Sequence, residues 1–201
     1  MHLICVRHGR TAWNAERRFQ GHSDIPLDDE GRAQARGLAA LLRADHIDVA
    51  VSSDLSRAAE TARIVLADRA VRLRLDPAWR EMQLGDWEGL TWEQILAANP
   101  DLVDMKEMTP RTYAARGGET FDDLCLRIAV AVASVQAQTP PDGTALVATH
   151  AGVLHALLRV LLGEDESRAL SVRFLPASLT RFTFDGARWQ LDVLNETAVA
   201  S

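Results

Sequence analysis

The fold class predicted by this sequence is a three-layer α/β sandwich, with a mostly parallel central sheet, helices on both faces and an antiparallel edge. Three observations predict it. Short apolar runs recur along the chain, each separated from the next by a stretch with helical spacing. Two late strand-like segments flank an Asp-Gly pair, the mark of a hairpin. The length, 201 residues, suits one large domain with a substantial core. Alternation of this kind buries a parallel sheet between helical layers.

The elements follow in order. HLICV at 2–6 is the first strand and VAVS at 49–52 the second. Leu73 and Leu75, alternating with arginines, mark the third, and ALVA at 145–148 the fourth. Between them, Ala35, Leu38, Ala39 and Leu42 repeat at i, i+3, i+4 and i+7, as do Leu55, Ala58, Ala59 and Ala62. A longer stripe runs through Phe121, Leu124, Cys125, Ile128, Val132 and Val135, and another through Val153, Leu154, Leu157, Leu158 and Leu161. Asp28 and Asp54 stand where N-caps belong, and the polar segment Gly117–Thr120 precedes the long helix. The segments 179–184 and 188–193 flank Asp185-Gly186, and the strand near 179–184 offers an edge for a homodimer that its pattern does not require. The least regular stretch, about 84–118 with Trp87, Trp92, Pro100 and Pro110, reads as an excursion over the sheet and a substrate cap within a single domain spanning 1–201.

Composition excludes several classes of function. No apolar run reaches the roughly 18 residues of a membrane span. The chain moves straight into a strand with no basic region or cleavage site, so no secretory signal is expected. Cys5 and Cys125 are too few for a disulfide framework and lie on apolar faces, which places the protein in the cytoplasm. A net charge of −6 argues against nucleic-acid binding.

Two segments carry the chemistry. RHGRTAWN at 7–14 and VATHAG at 147–152 each place a histidine at the end of an apolar strand. If the two strands are neighbours, His8 and His150 meet at the sheet's carboxyl edge, where open α/β sheets hold their ligands. Arginine beside histidine, and a helix opening after Gly152, suit a doubly charged anion such as a phosphoryl group. A metal fits poorly, because there is no HExxH, DxH pair or cysteine cluster and the arginines would repel a cation. Neither a metal nor another cofactor is expected. The other histidines, His2, His22, His46 and His155, read as surface or helix residues.

With these motifs in place the chain resembles the histidine phosphatase superfamily, in its phosphoglycerate-mutase-like branch. RHGRTAWN is similar to that family's RHGxTxxN signature, and GHSDIPLDDEGRAQA (21–35) and SSDLSRAAETA (52–62) to its next two blocks. REMQLGDWEG (80–89), RGGETFDDLCLRI (116–128) and VATHAGVLHALL (147–158) complete the series in order. The resemblance implies a metal-free phosphomonoesterase acting on small phosphate esters. It makes His8 the nucleophile and Glu81 the proton donor, with Arg7, Arg57 and His150 holding the phosphoryl oxygens. It adds Asn14, Gln20, Gly21, Ala151 and Gly152 as further phosphate-binding positions. Alternatives stay open at this stage. Arg57 can instead pair with Glu60 or Asp54, Asp86 or Glu88 can replace Glu81, and Asn14 can be only a cap. Arg10, where the family often has Glu or Gln, is either a solvated charge or an extra attraction for an anionic substrate. The short segment after Glu81, with Trp87, Trp92, Met105 and Met108 near it, is similar to broad-specificity and α-ribazole-phosphate phosphatases. That favours a phosphatase over a cofactor-dependent phosphoglycerate mutase, and an inactive phosphate-binding relative ranks third.

Overall fold

The computed structural model describes residues 1–99 and 117–198. β1 (His2–Arg7) leads through a short helix α1 (Ala12–Ala15) to α2 (Asp29–Leu41). β2 (Val49–Ser52), α3 (Ser56–Leu66) and β3 (Leu73–Leu75) follow, and then 3₁₀ turns at Pro77–Trp79 and Gly85–Trp87. Next come α4 (Trp92–Ala98), the long α5 (Phe121–Gln138), β4 (Thr144–Thr149), α6 (Ala151–Leu162) and α7 (Glu166–Ser171). β5 (Ser178–Phe184) and β6 (Trp189–Thr197) end the fold. Of the expected excursion, residues 84–99 form a 3₁₀ turn and α4. Pro100, Met105, Met108 and Pro110 lie outside the described residues.

The six strands form one sheet in the order β3-β2-β4-β1-β5-β6. β3, β2, β4 and β1 run parallel, whereas β5 and β6 are antiparallel. This is the predicted α/β class. One expectation is corrected: β5 is not an edge strand, because β6 pairs along it and closes the sheet. Alternate side chains along each strand leave opposite faces of the sheet. Leu3, Cys5, Val51, Ala145 and Val147 therefore pack under α5 and α6, and Ile4, Val6, Ala50, Leu146 and Ala148 in the core that α2 and α3 cover. Each fully buried leucine, isoleucine or valine contributes about 1.5–3 kcal/mol. Cys5 and Cys125 are buried and form no disulfide. Burial pushes the Cys5 pKa above the ordinary thiol range, so it is a core residue rather than a nucleophile.

The caps explain where helices begin. Asp28 accepts from the Gly31 amide at 2.7 Å, as predicted, and Thr120, in the polar segment before the long helix, accepts from the Asp123 amide at 3.1 Å. Asp54 is a second correction. α3 opens at Leu55 with no side-chain cap, because Asp54 is drawn instead to Arg80 by two bonds of 2.7 and 2.6 Å. A bidentate guanidinium pair outcompetes a single amide for one carboxylate. Among the described residues no helix is long and apolar enough to cross a membrane.

Candidate active site

The parallel register of β1 and β4 runs from His2 opposite Thr144 to Arg7 opposite Thr149, so the two histidines emerge side by side. The His8 amide continues the ladder onto Thr149 O at 3.0 Å. The two rings stand with centroids 5.2 Å apart and planes inclined by 58°. His8 Nδ1 lies 2.7 Å from Gly9 O. A carbonyl only accepts, so Nδ1 carries the hydrogen and Nε2 keeps its lone pair. Burial, reinforced by the charges of Arg57 and Arg7, holds the His8 pKa well below the ordinary imidazole value. Its ring is neutral. His150, fully buried, meets Ser53 Oγ through Nε2 at 2.8 Å. Ser53 Oγ also accepts from the Leu55 amide at 3.3 Å. With the Ser53 hydrogen given to Nε2, the ring hydrogen stands on Nδ1, the tautomer in which that nitrogen is a donor toward an anion. Burial, then Arg57, His8, Arg7 and His22, lower the His150 pKa as well.

Arg7 ends β1, and its Nη1 donates to Phe174 O at 2.6 Å. Arg57, in the first turn of α3, is fully buried and gives Nη1 to Ser23 O and Nη2 to Gly21 O, both at 2.8 Å. It pairs with neither Glu60 nor Asp54, which are bound to Arg32 and Arg80. Burial pushes the Arg57 pKa down to about 10, which leaves it a cation at neutral pH. Among the described residues, Arg7 Nε, Arg57 Nε and His150 Nδ1 are all buried without a hydrogen-bond partner. A buried unpaired donor costs about 1–3 kcal/mol, so three together are a feature that folding alone does not favour.

Glu81 follows the turn Pro77–Trp79. Its Oε1 accepts from the Gly152 amide at 3.0 Å and the Met82 amide at 2.9 Å. Gly152 is the second residue of α6, and a Cβ at that position would overlap Glu81 Oε1, so only glycine lets the carboxyl approach this closely. The Glu81 carbonyl accepts from His22 Nε2 at 2.9 Å and Arg127 Nη2 at 3.3 Å. Arg127, on α5, also grips Ala78 O and Arg80 O at 2.8 and 2.9 Å, with Glu119 steadying it at 2.6 Å. The two rival carboxylates are placed differently. Asp86 is exposed. Glu88 is bonded by Ser23 Oγ and by the amides of Ser23, His22 and Leu84 at 2.7–3.3 Å. Burial pushes the Glu88 pKa up, but those bonds outweigh it and hold it below the usual carboxylate range. It is a structural acceptor, bracing the loop that Arg57 grips from the other side.

Asn14 Oδ1 accepts from Thr11 N and Thr11 Oγ1, both at 3.1 Å, in the capping box of α1. The carbonyl end of Asn14 is therefore a cap. Gln20, buried at 8% exposure, joins the same cluster through Thr11 Oγ1 at 3.1 Å. Gly21 sits at φ 51° against Glu88, where a side chain would be both strained and overlapping. Ala151 is the first residue of α6. Arg10 is paired with Asp28 at 2.7 Å and with Glu30, so its charge is spent within the fold. Trp87 and Trp92 pack with Phe19 at centroid distances of 6.4 Å, the core-packing alternative for these side chains. Among the described residues no three of His, Cys, Asp and Glu are grouped as metal ligands.

Several participants were missed by sequence reasoning. His22 read as a surface or helix residue but bonds to the carbonyl of Glu81. His155 donates to Val172 O at 2.8 Å, and its ring lies 5.1 Å from that of Phe174. Ser53, Arg127 and Glu88 carried one usable signal, their places inside the recognised blocks. The segment 172–177 carried none.

Comparison with known proteins gives the family and the fold. The profile of the histidine phosphatase superfamily (branch 1) matches residues 3–197. Glucosyl-3-phosphoglycerate phosphatase of Mycobacterium tuberculosis is 34% identical, over 99% of this chain and 96% of its own length. Phosphoglycerate mutase-like protein 4 of Arabidopsis thaliana is 32% identical over 98% of this chain and 85% of its own. The crystal structure of α-ribazole phosphatase from Shigella flexneri superposes with a TM-score of 0.88 at 27% identity, covering 100% of this chain and 99% of that one.

Proposed function

We propose that this chain, which belongs to the histidine phosphatase superfamily (branch 1) and is a phosphatase, hydrolyses small phosphate esters without a metal, through a phosphohistidine on His8. One observation carries the reading. The lone pair of His8 Nε2 lies in a buried site beside His150, Arg7 and Arg57, whose Nδ1, Nε and Nε find no partner among the described residues. Those donors suit the equatorial oxygens of a phosphoryl group, where charge resides in a loose transition state. Small phosphorylated metabolites, the class of the mycobacterial relative's named substrate, are the substrates inferred for this chain.

In the first step Nε2 attacks phosphorus, the Nε2–P bond forms and the P–O bond to the leaving group breaks. Glu81 enters as the neutral acid and gives its proton to the leaving oxygen. The positive charge gained by the ring is met at Nδ1–H by Gly9 O. In the second step water attacks phosphorus, Glu81 takes its proton, and the P–N bond breaks to release inorganic phosphate. His8 is again neutral and Glu81 again protonated. Gly152, through its amide, orients Glu81. Ala151 and Gly152, at the N-terminus of α6, supply the positive end of that helix. Gln20 and Gly21 shape the loop held by Arg57, and the Asn14 amide nitrogen adds a neutral donor.

The single sheet supports reading 1–201 as one domain, and two buried cysteines outside any disulfide fit a cytoplasmic setting. A homodimer formed by sheet extension would go through β6 rather than β5.

The test is phosphate release from p-nitrophenyl phosphate in the presence of a chelator. Turnover is expected to persist there and to vanish in His8→Ala. Loss of activity on chelation would remove the metal-free mechanism. Rapid interconversion of 2- and 3-phosphoglycerate, stimulated by the bisphosphate, would assign the chain to mutase chemistry instead.

A further inference from the structure

The segment 172–177, which leads into β5, is tied to the site from several sides. Ala177, at φ 50°, gives its N–H to His8 O at 3.0 Å. Phe174 O accepts from Arg7 Nη1 at 2.6 Å, and Val172 O from His155 Nε2 at 2.8 Å. From the outside Asn195, at φ 58°, donates Nδ2 to Arg173 O at 2.9 Å and accepts from the Leu175 amide at 2.9 Å. Residues other than glycine are costly in the left-handed region and persist where their surroundings over-determine them. The backbone of Arg173 is therefore fixed beside Arg7.

Its side chain is exposed and makes no hydrogen bond or ion pair among the described residues, in a chain with 28 acidic and only 22 basic side chains. Arg10, Arg32, Arg80, Arg127 and Arg181 have carboxylate partners, and among the described arginines without one, Arg173 is set apart by its place beside the site, next to the Phe174 carbonyl that Arg7 holds. Arg173 instead lies close enough to Arg7 to oppose its charge. A phosphoryl dianion is matched by Arg7 and Arg57 alone, so Arg173 is a third cation that the reacting group does not need. A neighbouring like charge is unfavourable unless an anion joins it. One exposed guanidinium balances one negative charge, and its planar fork matches a carboxylate.

Building on the phosphatase reading of His8 and Glu81, we propose that Arg173 is a specificity residue that binds a carboxylate carried on the leaving group of the substrate.

The experiment compares phosphate release from 3-phosphoglycerate and glycerol 3-phosphate, which share a carbon skeleton and differ by carboxylate against hydroxymethyl. The wild-type protein is expected to favour the carboxylate in kcat/KM by about 10- to 100-fold, the worth of one charge-assisted hydrogen bond or two. That ratio should collapse toward one in Arg173→Gln, recover in part in Arg173→Lys and invert in Arg173→Glu. An equal ratio in wild type and Arg173→Gln, or no preference in wild type, overturns the proposal while leaving p-nitrophenyl phosphate hydrolysis as proof of the phosphatase. Failure of the wild type to release phosphate from any of the three substrates overturns both readings.

Discussion

The site is assembled from two kinds of region held by different forces. His8 and His150 sit at the ends of adjacent parallel strands, and the sheet ladder that brings them together is made by backbone alone. Glu81, the loop 20–24 and the segment 172–177 come from irregular chain. They are held by side chains crossing between them: Arg127 on Ala78, Arg80 and Glu81, Arg57 on Gly21 and Ser23, and Arg7 on Phe174. The difference is one of robustness. A strand end is defined by many ladder bonds, so one side chain can change without moving it. A cross-linked loop depends on a few charge-assisted bonds, each worth about 1.5–3 kcal/mol.

The sharpest way to test the strand-end half is to remove a side chain while leaving the ladder intact. His8→Ala should lose about 10⁴-fold or more in turnover, because the nucleophile is gone. Binding of inorganic phosphate, followed by calorimetry, should survive. Loss of the fold in this variant would show that the strand ends are less independent than argued.

The loop half should fail in a different manner. Glu81→Gln is expected to lower kcat by about 10²–10⁴-fold for alkyl phosphates and much less for p-nitrophenyl phosphate, whose leaving group needs no proton. Gly152→Ala should copy that pattern, since its Cβ displaces the carboxyl. Equal losses on both substrates would count against Glu81 as the acid.

Arg127→Met is a smaller perturbation at longer range. Releasing the carbonyls of Ala78, Arg80 and Glu81 lets the acid drift, and a displacement of about 1 Å costs on the order of 10²-fold. The loss should again be leaving-group dependent, and Arg127→Lys should restore little, because one ammonium cannot span the same carbonyls and Glu119. A uniform loss on all substrates would make Arg127 a general stabiliser instead.

The smallest effect concerns stability. Burial holds His8 and His150 neutral in the folded chain, with pKa values below the ordinary one. The unfolded chain takes up those protons as the pH falls through about 6.5. Stability is therefore complete above that pH and declines below it, by up to about 1.4 kcal/mol per pH unit for each ring. Urea titrations between pH 7 and 5 should show this slope, and His8→Gln should flatten it by about one proton's worth. An unchanged slope would mean that the His8 ring ionises inside the fold.

The same division separates what the sequence revealed from what it hid. Strand ends were legible because apolar runs at 2–6 and 145–148 announce buried parallel strands, and a polar residue ending such a run must lie at the carboxyl edge. Arg57 and Glu81 were legible through the family blocks that contain them. The cross-links were not. Arg127 and Glu81 are 46 positions apart and Arg7 and Phe174 are 167, and a single long side chain leaves no periodic trace at either end. Asp54 misled for the same reason, since a residue with cap chemistry can be drawn off by a distant arginine. β5 was misplaced as an edge because a hairpin pattern does not say which of its strands meets the sheet.

Phosphoryl transfer to the His8 ring is the claim on which the rest depends. Rapid quenching of the protein with p-nitrophenyl phosphate and chelator, followed by peptide mass spectrometry and ³¹P NMR, tests it directly. The expected result is at most one phosphoryl group per chain, on His8 and bonded to Nε2. A phosphoryl group on His150, or turnover with no phosphoenzyme at all, would contradict it.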